Sequence, residues 1–375
     1  MLPYGRQSVS EEDIEAVTTV LRGDWLTTGP AVSDFEEAIA ALAGLPASQA
    51  VTTTSGTAAL HTAYAALGLG RGDEVVTTPM TFVATASAAS LLGATVVFAD
   101  VEEDTALLDP AAVEAAVTHR TRAIAAVDYA GHPADYDTLQ QIADLIGAVT
   151  LADAAHSVGG SYRDRPVGRL ADVTTMSFFP TKNLTTAEGG AAVFREADVA
   201  RRAREFRNIG LVRDPARFRI EDEGPWHQEV HEFGVNYRLT DVACALGLSQ
   251  LRRLASFTRR RAEITARYRE ALTGVDGLRL PTQRADVSPA WHLFPLRVLG
   301  GRRREIFEKL RASGIGVQVN YVPVYWHPVY ADLGYRRGLC PRAEAFYTEE
   351  LSLPLFPDLT DDDVDRVIET LIGAL

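Results

Sequence analysis

The sequence predicts an α/β protein built on a mainly parallel sheet with helices on both faces. Three observations point there. From about Ser33 to Phe194, short apolar runs alternate with helical segments, as in strands joined by helical crossovers. The chain has 375 residues, 46% of them hydrophobic, enough for a large core and for two domains rather than one. Near Tyr237 the alternation gives way to a long helical stretch and a different, smaller α+β pattern.

The elements follow in order. Leu60, Ala63, Tyr64 and Leu67 recur at helical spacing, and Gly68 stops that helix. A strand is expected at 74–77, a helix from about 82 to 92 and a strand at 94–99. A helix after Pro110 leads to a strand at 123–127, and a helix over about 136–146 leads to one at 148–152. Two further strands fit 173–178 and 190–194. Beyond Tyr237 the pattern predicts a helix over about 240–272, a strand at 292–298, a helix at 303–313 and the loop NYVPVYWHPVY. The arginine runs at 259–261 and 302–304 read as solvated helix faces.

Composition narrows the function classes. A net charge of −13 argues against nucleic acid as the main partner, because phosphate backbones need basic stripes. No stretch approaches the roughly 18 uninterrupted apolar residues of a membrane span, and MLPYGRQSVSEEDIEAV lacks a signal-peptide core. Cys244 and Cys340 lie far apart without metal-type spacing, so the expectation is two reduced thiols, no metal and a cytoplasmic location.

Open parallel sheets bind ligands at the carboxyl ends of their strands, and three candidates fall there. Ser55-Gly56-Thr57 opens a helix, whose free N–H groups suit a phosphate. Asp153 follows the run AVTLA, with His156 three residues on; the carboxylate suits a protonated ring nitrogen. Lys182 follows VTTMSF, among Ser177, Thr181 and Thr185. Only two of the 37 basic residues are lysines, Lys182 and Lys309. In a chain that otherwise uses arginine, lysine at 182 points to an amine that must lose its proton. Alone, each signal has an ordinary reading: an N-cap, a capping aspartate beside a satisfied histidine, an exposed loop lysine. Together they match pyridoxal 5′-phosphate, which needs an amine, an acid partner for its ring nitrogen and an N–H nest for its phosphate. A nicotinamide enzyme would need GxGxxG after an early strand; Gly68-Leu69-Gly70-Arg71-Gly72 ends a helix instead.

With those residues in hand, the chain resembles the DegT/DnrJ/EryC1/StrS family of pyridoxal-phosphate-dependent sugar aminotransferases, of the aspartate-aminotransferase-like fold type I. The likeness runs through YGRQSVSEEDIEAV, DWLTTGP, TSGTAAL, TTPMTFVATASA, LADAAHSVGGSY, SFFPTKNLTTAEGG and GVNYRLTD. Within the family it looks closest to the branch acting on UDP-4-keto-6-deoxy-N-acetylhexosamines in pseudaminic-acid biosynthesis. The resemblance implies a large domain, 1–240, with a seven-stranded sheet and an N-terminal arm, 1–25, and a smaller α+β domain, 241–375. It implies Lys182 as the Schiff-base lysine, Asp153 on the pyridine nitrogen and His156 on the phenolic oxygen. Ser55, Gly56, Thr57 and Ser177 would hold the phosphate, and Phe82 would stack on the ring. Asn236 would reach the phosphate of the neighbouring subunit, making a homodimer with shared sites the active unit. Tyr4, Arg6, Thr27, Thr28, Tyr321 and His327 would line the sugar-nucleotide cleft. The implied reaction is ping-pong transfer from L-glutamate to a nucleotide-linked keto-sugar, with a keto-cyclitol as the alternative acceptor. Lys182 counts against the sugar dehydratases of the same fold, which carry histidine there, and no winged-helix segment suggests a regulatory module. Two departures stand out: Ala187-Glu188-Gly189-Gly190 replaces GEGG, and Arg207-Asn208-Ile209-Gly210 lacks the branch's histidine, which bears on substrate identity.

Overall fold

In the computed structural model, which describes residues 1–221 and 223–375, the alternation forms one seven-stranded sheet. Its strands are β1 (Ala50–Thr53), β2 (Glu74–Thr77), β3 (Thr95–Phe98), β4 (Thr121–Val127), β5 (Val149–Asp153), β8 (Val173–Ser177) and β9 (Gly190–Phe194). They lie in the order β1-β9-β8-β5-β4-β2-β3. Neighbours from β8 to β3 are parallel, and β9 alone runs against both its neighbours. Between β5 and β8, β6 (Ser161–Tyr162) and β7 (Arg165–Pro166) form a small sheet with β13 (Val287–Ser288); β10 (Leu211–Val212) pairs with β11 (Glu229–Val230).

Successive strand residues point to opposite faces, and both faces are buried. Val75, Ala125, Leu151 and Ala192 belong to one apolar cluster; Val76, Ala126, Ala152 and Val193 belong to the other. The sheet is covered by α2 (Pro30–Leu42), α3 (Gly56–Ala66), α4 (Ala84–Leu91), α5 (Pro110–Ala116), α6 (Tyr136–Ile146) and α7 (Ala197–Arg207). Helix α6 shows why the spacing worked. Asp135 caps Thr138 N–H, the stripe Leu139, Ile142 and Ala143 is buried, and Gly147 ends the helix in a left-handed conformation, φ 68°.

The strand absent from the sequence reading is β1. Its Thr52 and Thr53 are polar, so it carries no apolar signature, yet both are fully buried. Thr52 donates to Glu36 Oε1 from N (2.9 Å) and Oγ1 (3.0 Å), and Arg207 Nη1 bonds Glu36 Oε1 (2.6 Å) and Thr52 O (2.7 Å). Hydrogen bonding satisfies these groups at burial.

Helix α1 (Glu11–Arg22), opened by a Ser10–Asp13 capping box, and the 32-residue α8 (Asp241–Leu272) pack together. Buried Asp13 receives Gln250 Nε2 (2.6 Å) and Arg253 Nη1 (3.0 Å) from α8. Beyond α8, β12 (Leu278–Arg279), β14 (Phe294–Val298) and β15 (Glu350–Leu353) form an antiparallel sheet with α9 (Arg303–Ala312), α10 (Pro328–Asp332), α11 (Pro341–Glu349) and α12 (Asp361–Ala374). The N-terminal residues lie across this part: Leu2 bridges Ile315, and Leu355 N–H donates to Tyr4 O (3.2 Å). The arginine runs divide. Arg304 is exposed as expected, but Arg261 is buried at 1% exposure, because it falls on the inward stripe of α8. Among the described residues, no helix is long and apolar enough to cross a membrane.

Candidate active site

A cavity of about 430 Å³ opens where β5, β8 and the β1–α3 turn end at the same sheet edge. Ser55, Gly56 and Thr57 line it from the start of α3, Asp153 and His156 from the end of β5, and Ser177 and Lys182 from the end of β8. Phe82, 59% exposed, lines it before α4, and Tyr4 and Tyr321 close it from the arm and the C-terminal part. Ser55 caps α3 through Ala58 N–H (3.1 Å). A Cβ on Gly56 would lie 2.8 Å from Ser177 Cβ, so the turn approaches β8 as closely as only glycine permits. Gly190 does the same from β9: a Cβ there would lie 2.4 Å from Ser55 O.

Asp153 is the last residue of β5 and is buried. Its Oδ2 accepts from Thr85 Oγ1 (2.7 Å) and its Oδ1 from Ala155 N–H (3.1 Å). Burial raises its carboxyl above the usual range, while Thr85, Ala155 and the nearby Lys182 charge pull the other way. Burial, with Arg261 adding to it and Asp153 opposing it, pushes the Lys182 amine down to about 8. His156 Nε2 bonds Tyr321 OH (3.1 Å), and its ring lies 4.4 Å from that of His292. Burial drives both imidazoles well below their ordinary range, so both are neutral. His156 Nδ1 is buried with no hydrogen-bond partner among the described residues.

The cavity therefore gathers Tyr4, Ser55, Gly56, Thr57, Phe82, Asp153, His156, Ser177, Tyr321 and Lys182, but not every residue the sequence singled out. Thr185, expected beside Ser177 and Thr181 as a hydrogen-bond donor to an anion, is buried and donates to Phe178 O instead (3.0 Å). Arg6 is exposed on the arm. Thr27 bridges Thr240, and Thr28, at φ 57°, donates to its neighbour's carbonyl (2.7 Å); both are exposed. Asn236 is exposed and bridges Asn208. His327 is half-buried and precedes α10. Sequence reasoning missed Thr85, His292, Gln318 and Asn320. Thr85 had one signal, a second threonine four residues after Thr81, whose hydroxyl it meets at 2.8 Å across the start of α4. His292 had another: it is a lone histidine in the apolar run AWHLF.

A family profile described as the DegT/DnrJ/EryC1/StrS aminotransferase family matches residues 7–372. The spore coat polysaccharide biosynthesis protein SpsC of Bacillus subtilis is 41% identical over 376 residues, 99% of this chain and 96% of that protein. Among solved structures, Spr1654 of Streptococcus pneumoniae, assigned as a sugar aminotransferase and solved in its PLP form, is 31% identical with a TM-score of 0.92, covering 100% of this chain and 98% of that one. PseC of Helicobacter pylori, an aminotransferase involved in the biosynthesis of pseudoaminic acid, is 30% identical with a TM-score of 0.93 over 100% and 98%.

Proposed function

The chain belongs to the DegT/DnrJ/EryC1/StrS aminotransferase family, and from that premise we propose that it transfers an amino group from L-glutamate to a nucleotide-linked keto-deoxysugar. It is a pyridoxal-phosphate-dependent sugar aminotransferase. The acceptor we favour is C4 of a UDP-4-keto-6-deoxy-N-acetylhexosamine, on the likeness to PseC. The observation that carries the reading is one cavity wall bearing a lysine pushed down to about 8, a buried carboxylate and a glycine-opened helix start.

The residues fit the cofactor. The Gly56–Ser177 approach leaves an N–H and hydroxyl cradle for a phosphate, and the unpartnered His156 Nδ1 is a polar atom awaiting a ligand. Lys182 would hold the aldehyde carbon, Asp153 the ring nitrogen, and Ser55, Gly56, Thr57 and Ser177 the phosphate, with Phe82 against the ring. Bound pyridoxal phosphate supplies an electron sink for the pair left when the amino-bearing carbon loses its proton.

The chain's own residues do the rest. Lys182 Nζ, lowered to about 8 and so neutral in a large share of molecules at that pH, takes that proton from the amino-bearing carbon. Thr85 and Ala155 N–H keep Asp153 available as an anion, which favours a protonated ring nitrogen. Tyr321 fixes the His156 ring. The donor's product leaves before the acceptor enters, so one cavity serves both halves in ping-pong order.

We further propose residues 1–240 and 241–375 as the large and small domains of a cytoplasmic homodimer, with Asn236 contributing to the partner's phosphate site. Exposed Trp25, Leu26, Ile209, Trp226 and Phe233 support a covered face; Phe233 is 99% exposed in the single chain. The experiment is a single-turnover assay of the aminated cofactor form against nucleotide-linked keto-sugars and a keto-cyclitol. Turnover of the UDP-linked 4-keto-sugar is expected; reaction with the cyclitol alone overturns the acceptor. Lys182→Arg is expected to lose the bound cofactor's visible band and turnover, because a guanidinium stays charged.

A further inference from the structure

The inward stripe of α8 reads Leu254, Phe257, Arg261, Ile264, Tyr268 and Leu272, with a cation in the middle of an apolar row. Other arginines of this helix meet carboxylates: Arg253 pairs with Asp13, Arg260 with Asp361 and Arg267 with Asp365. Among the described residues no carboxylate pairs with Arg261. Its Nη1 donates to Leu355 O (2.7 Å) and His292 O (3.4 Å), its Nη2 donates to Thr181 O (3.4 Å), and its Nε is buried without a partner among the described residues. For stability alone, an apolar side chain of similar volume would serve this place as well or better.

The three carbonyls belong to three segments that build the cavity. Thr181 adjoins Lys182, and both line it, as does His292. Leu355 seats the arm by donating its N–H to Tyr4 O (3.2 Å), and Tyr4 lines it too. The guanidinium is thus the common hub of the lysine turn, the histidine segment and the arm.

We propose that Arg261 is a positioning residue for the lysine chemistry: it clamps the backbone around Lys182, and its unpaired charge disfavours a second cation there. The functional meaning rests on Lys182 being the reactive amine. The groups facing Lys182 set the balance. Asp153, from β5, favours the protonated amine, and Arg261, from α8, opposes it. His156 and His292 are held neutral by burial, and burial raises the phenols of Tyr4 and Tyr321, so these four add no charge. Glu188 lines the cavity and is exposed.

The scarcity of lysine makes the test direct. The full-length chain, freed of cofactor, is reductively methylated with ¹³C-formaldehyde, and each dimethyl-lysine is titrated by NMR. In the wild type and in Arg261→Gln only Lys182, Lys309 and the N-terminal amine report, and Lys309→Arg assigns the resonances; Arg261→Lys adds one resonance, identified by its absence from the wild type. Lys309, outside the cavity, pairs with Glu305 (2.6 Å) and serves as the internal reference. Lys182 is expected to titrate at about 8, well below the ordinary lysine range. Arg261→Gln, which keeps a donor and loses the charge, is expected to raise that midpoint. Arg261→Lys, which keeps the charge and loses the fork, is expected to leave the midpoint in place and lower kcat more than it raises KM. A Lys182 resonance titrating with Lys309, an unmoved midpoint in Arg261→Gln, or a moved one in Arg261→Lys overturns the proposal. If Arg261→Gln does not fold, Arg261→Met, which fills a similar volume without the charge, carries the same expectation and the same overturning result. Because the titration needs no cofactor, a failure of Lys182 to capture pyridoxal phosphate refutes the lysine's role separately.

Discussion

Replacing Thr85 by valine keeps the shape of a fully buried side chain and removes one hydroxyl. That hydroxyl donates to Asp153 Oδ2 at 2.7 Å, so Thr81, 2.8 Å away, must donate to it in turn. A hydrogen bond to a charged group is worth about 1.5–3 kcal/mol, which is roughly 10- to 150-fold in an equilibrium constant. The loss falls on the ionised form of Asp153. Its folded pKa, already raised by burial, goes up further, and the pairing with a protonated ring nitrogen weakens. The assay is titration of unloaded protein with pyridoxal phosphate, followed by visible absorbance at about pH 6.5 and 8.5. The dissociation constant should rise by the factor above, and no less at the lower pH, because burial already holds the carboxyl above its ordinary range. Thr265→Val removes an unpartnered buried hydroxyl and is the control, with no change expected. An affinity in Thr85→Val within twofold of wild type at both pH values would refute the assignment of Asp153 to the ring nitrogen.

Three further outcomes are expected. Gly56→Ala forces a Cβ to 2.8 Å from Ser177 Cβ, an overpacking cost of about 1–3 kcal/mol concentrated in the phosphate cradle; cofactor should dissociate faster on dilution, and unchanged retention would exclude the turn as the phosphate site. Glu350 is fully buried, accepting from Asn320 N–H (2.6 Å) and Ser352 Oγ (2.5 Å), and burial raises its carboxyl to about 8. A raised folded pKa means that ionisation lowers stability as pH climbs from about 4.5 through about 8, so thermal melts of wild type should fall across that window relative to Glu350→Gln; parallel curves would contradict it. Finally, if Asn236 serves the partner's site, mixing Lys182→Arg with Asn236→Ala under subunit exchange should restore activity in hybrid dimers, since one of the two sites then carries both native residues; no recovery would argue that each chain is self-sufficient.

Much of this was legible along the chain. Strands β2 and β9 fall where the apolar runs end, and helix α6 where its stripe and Gly147 stop it, because those signals are local. Lys182, Asp153 and the Ser55–Thr57 turn were legible because strand ends carry ligand sites whatever the remaining chain does. Strand β1 was not, since its buried Thr52 is satisfied by Glu36 and Arg207, over 150 residues apart from one another in sequence. Arg261 was misread for a related reason. Its arginine neighbours suggested a wet face, whereas the spacing from Leu254 and Phe257 to Ile264 set it inward.

By itself, then, the sequence determined the local alphabet: which segments are strands or helices, which family they spell, and that a rare lysine stands at a strand's carboxyl end. Tertiary structure alone decided the environment of that lysine. Reactivity depends on what lies within a few ångströms, and those neighbours come from remote segments: Thr85 on Asp153, Tyr321 on His156, and Arg261 on the carbonyl beside Lys182. Burial and charge are properties of packing, so only the fold could lower the amine to about 8.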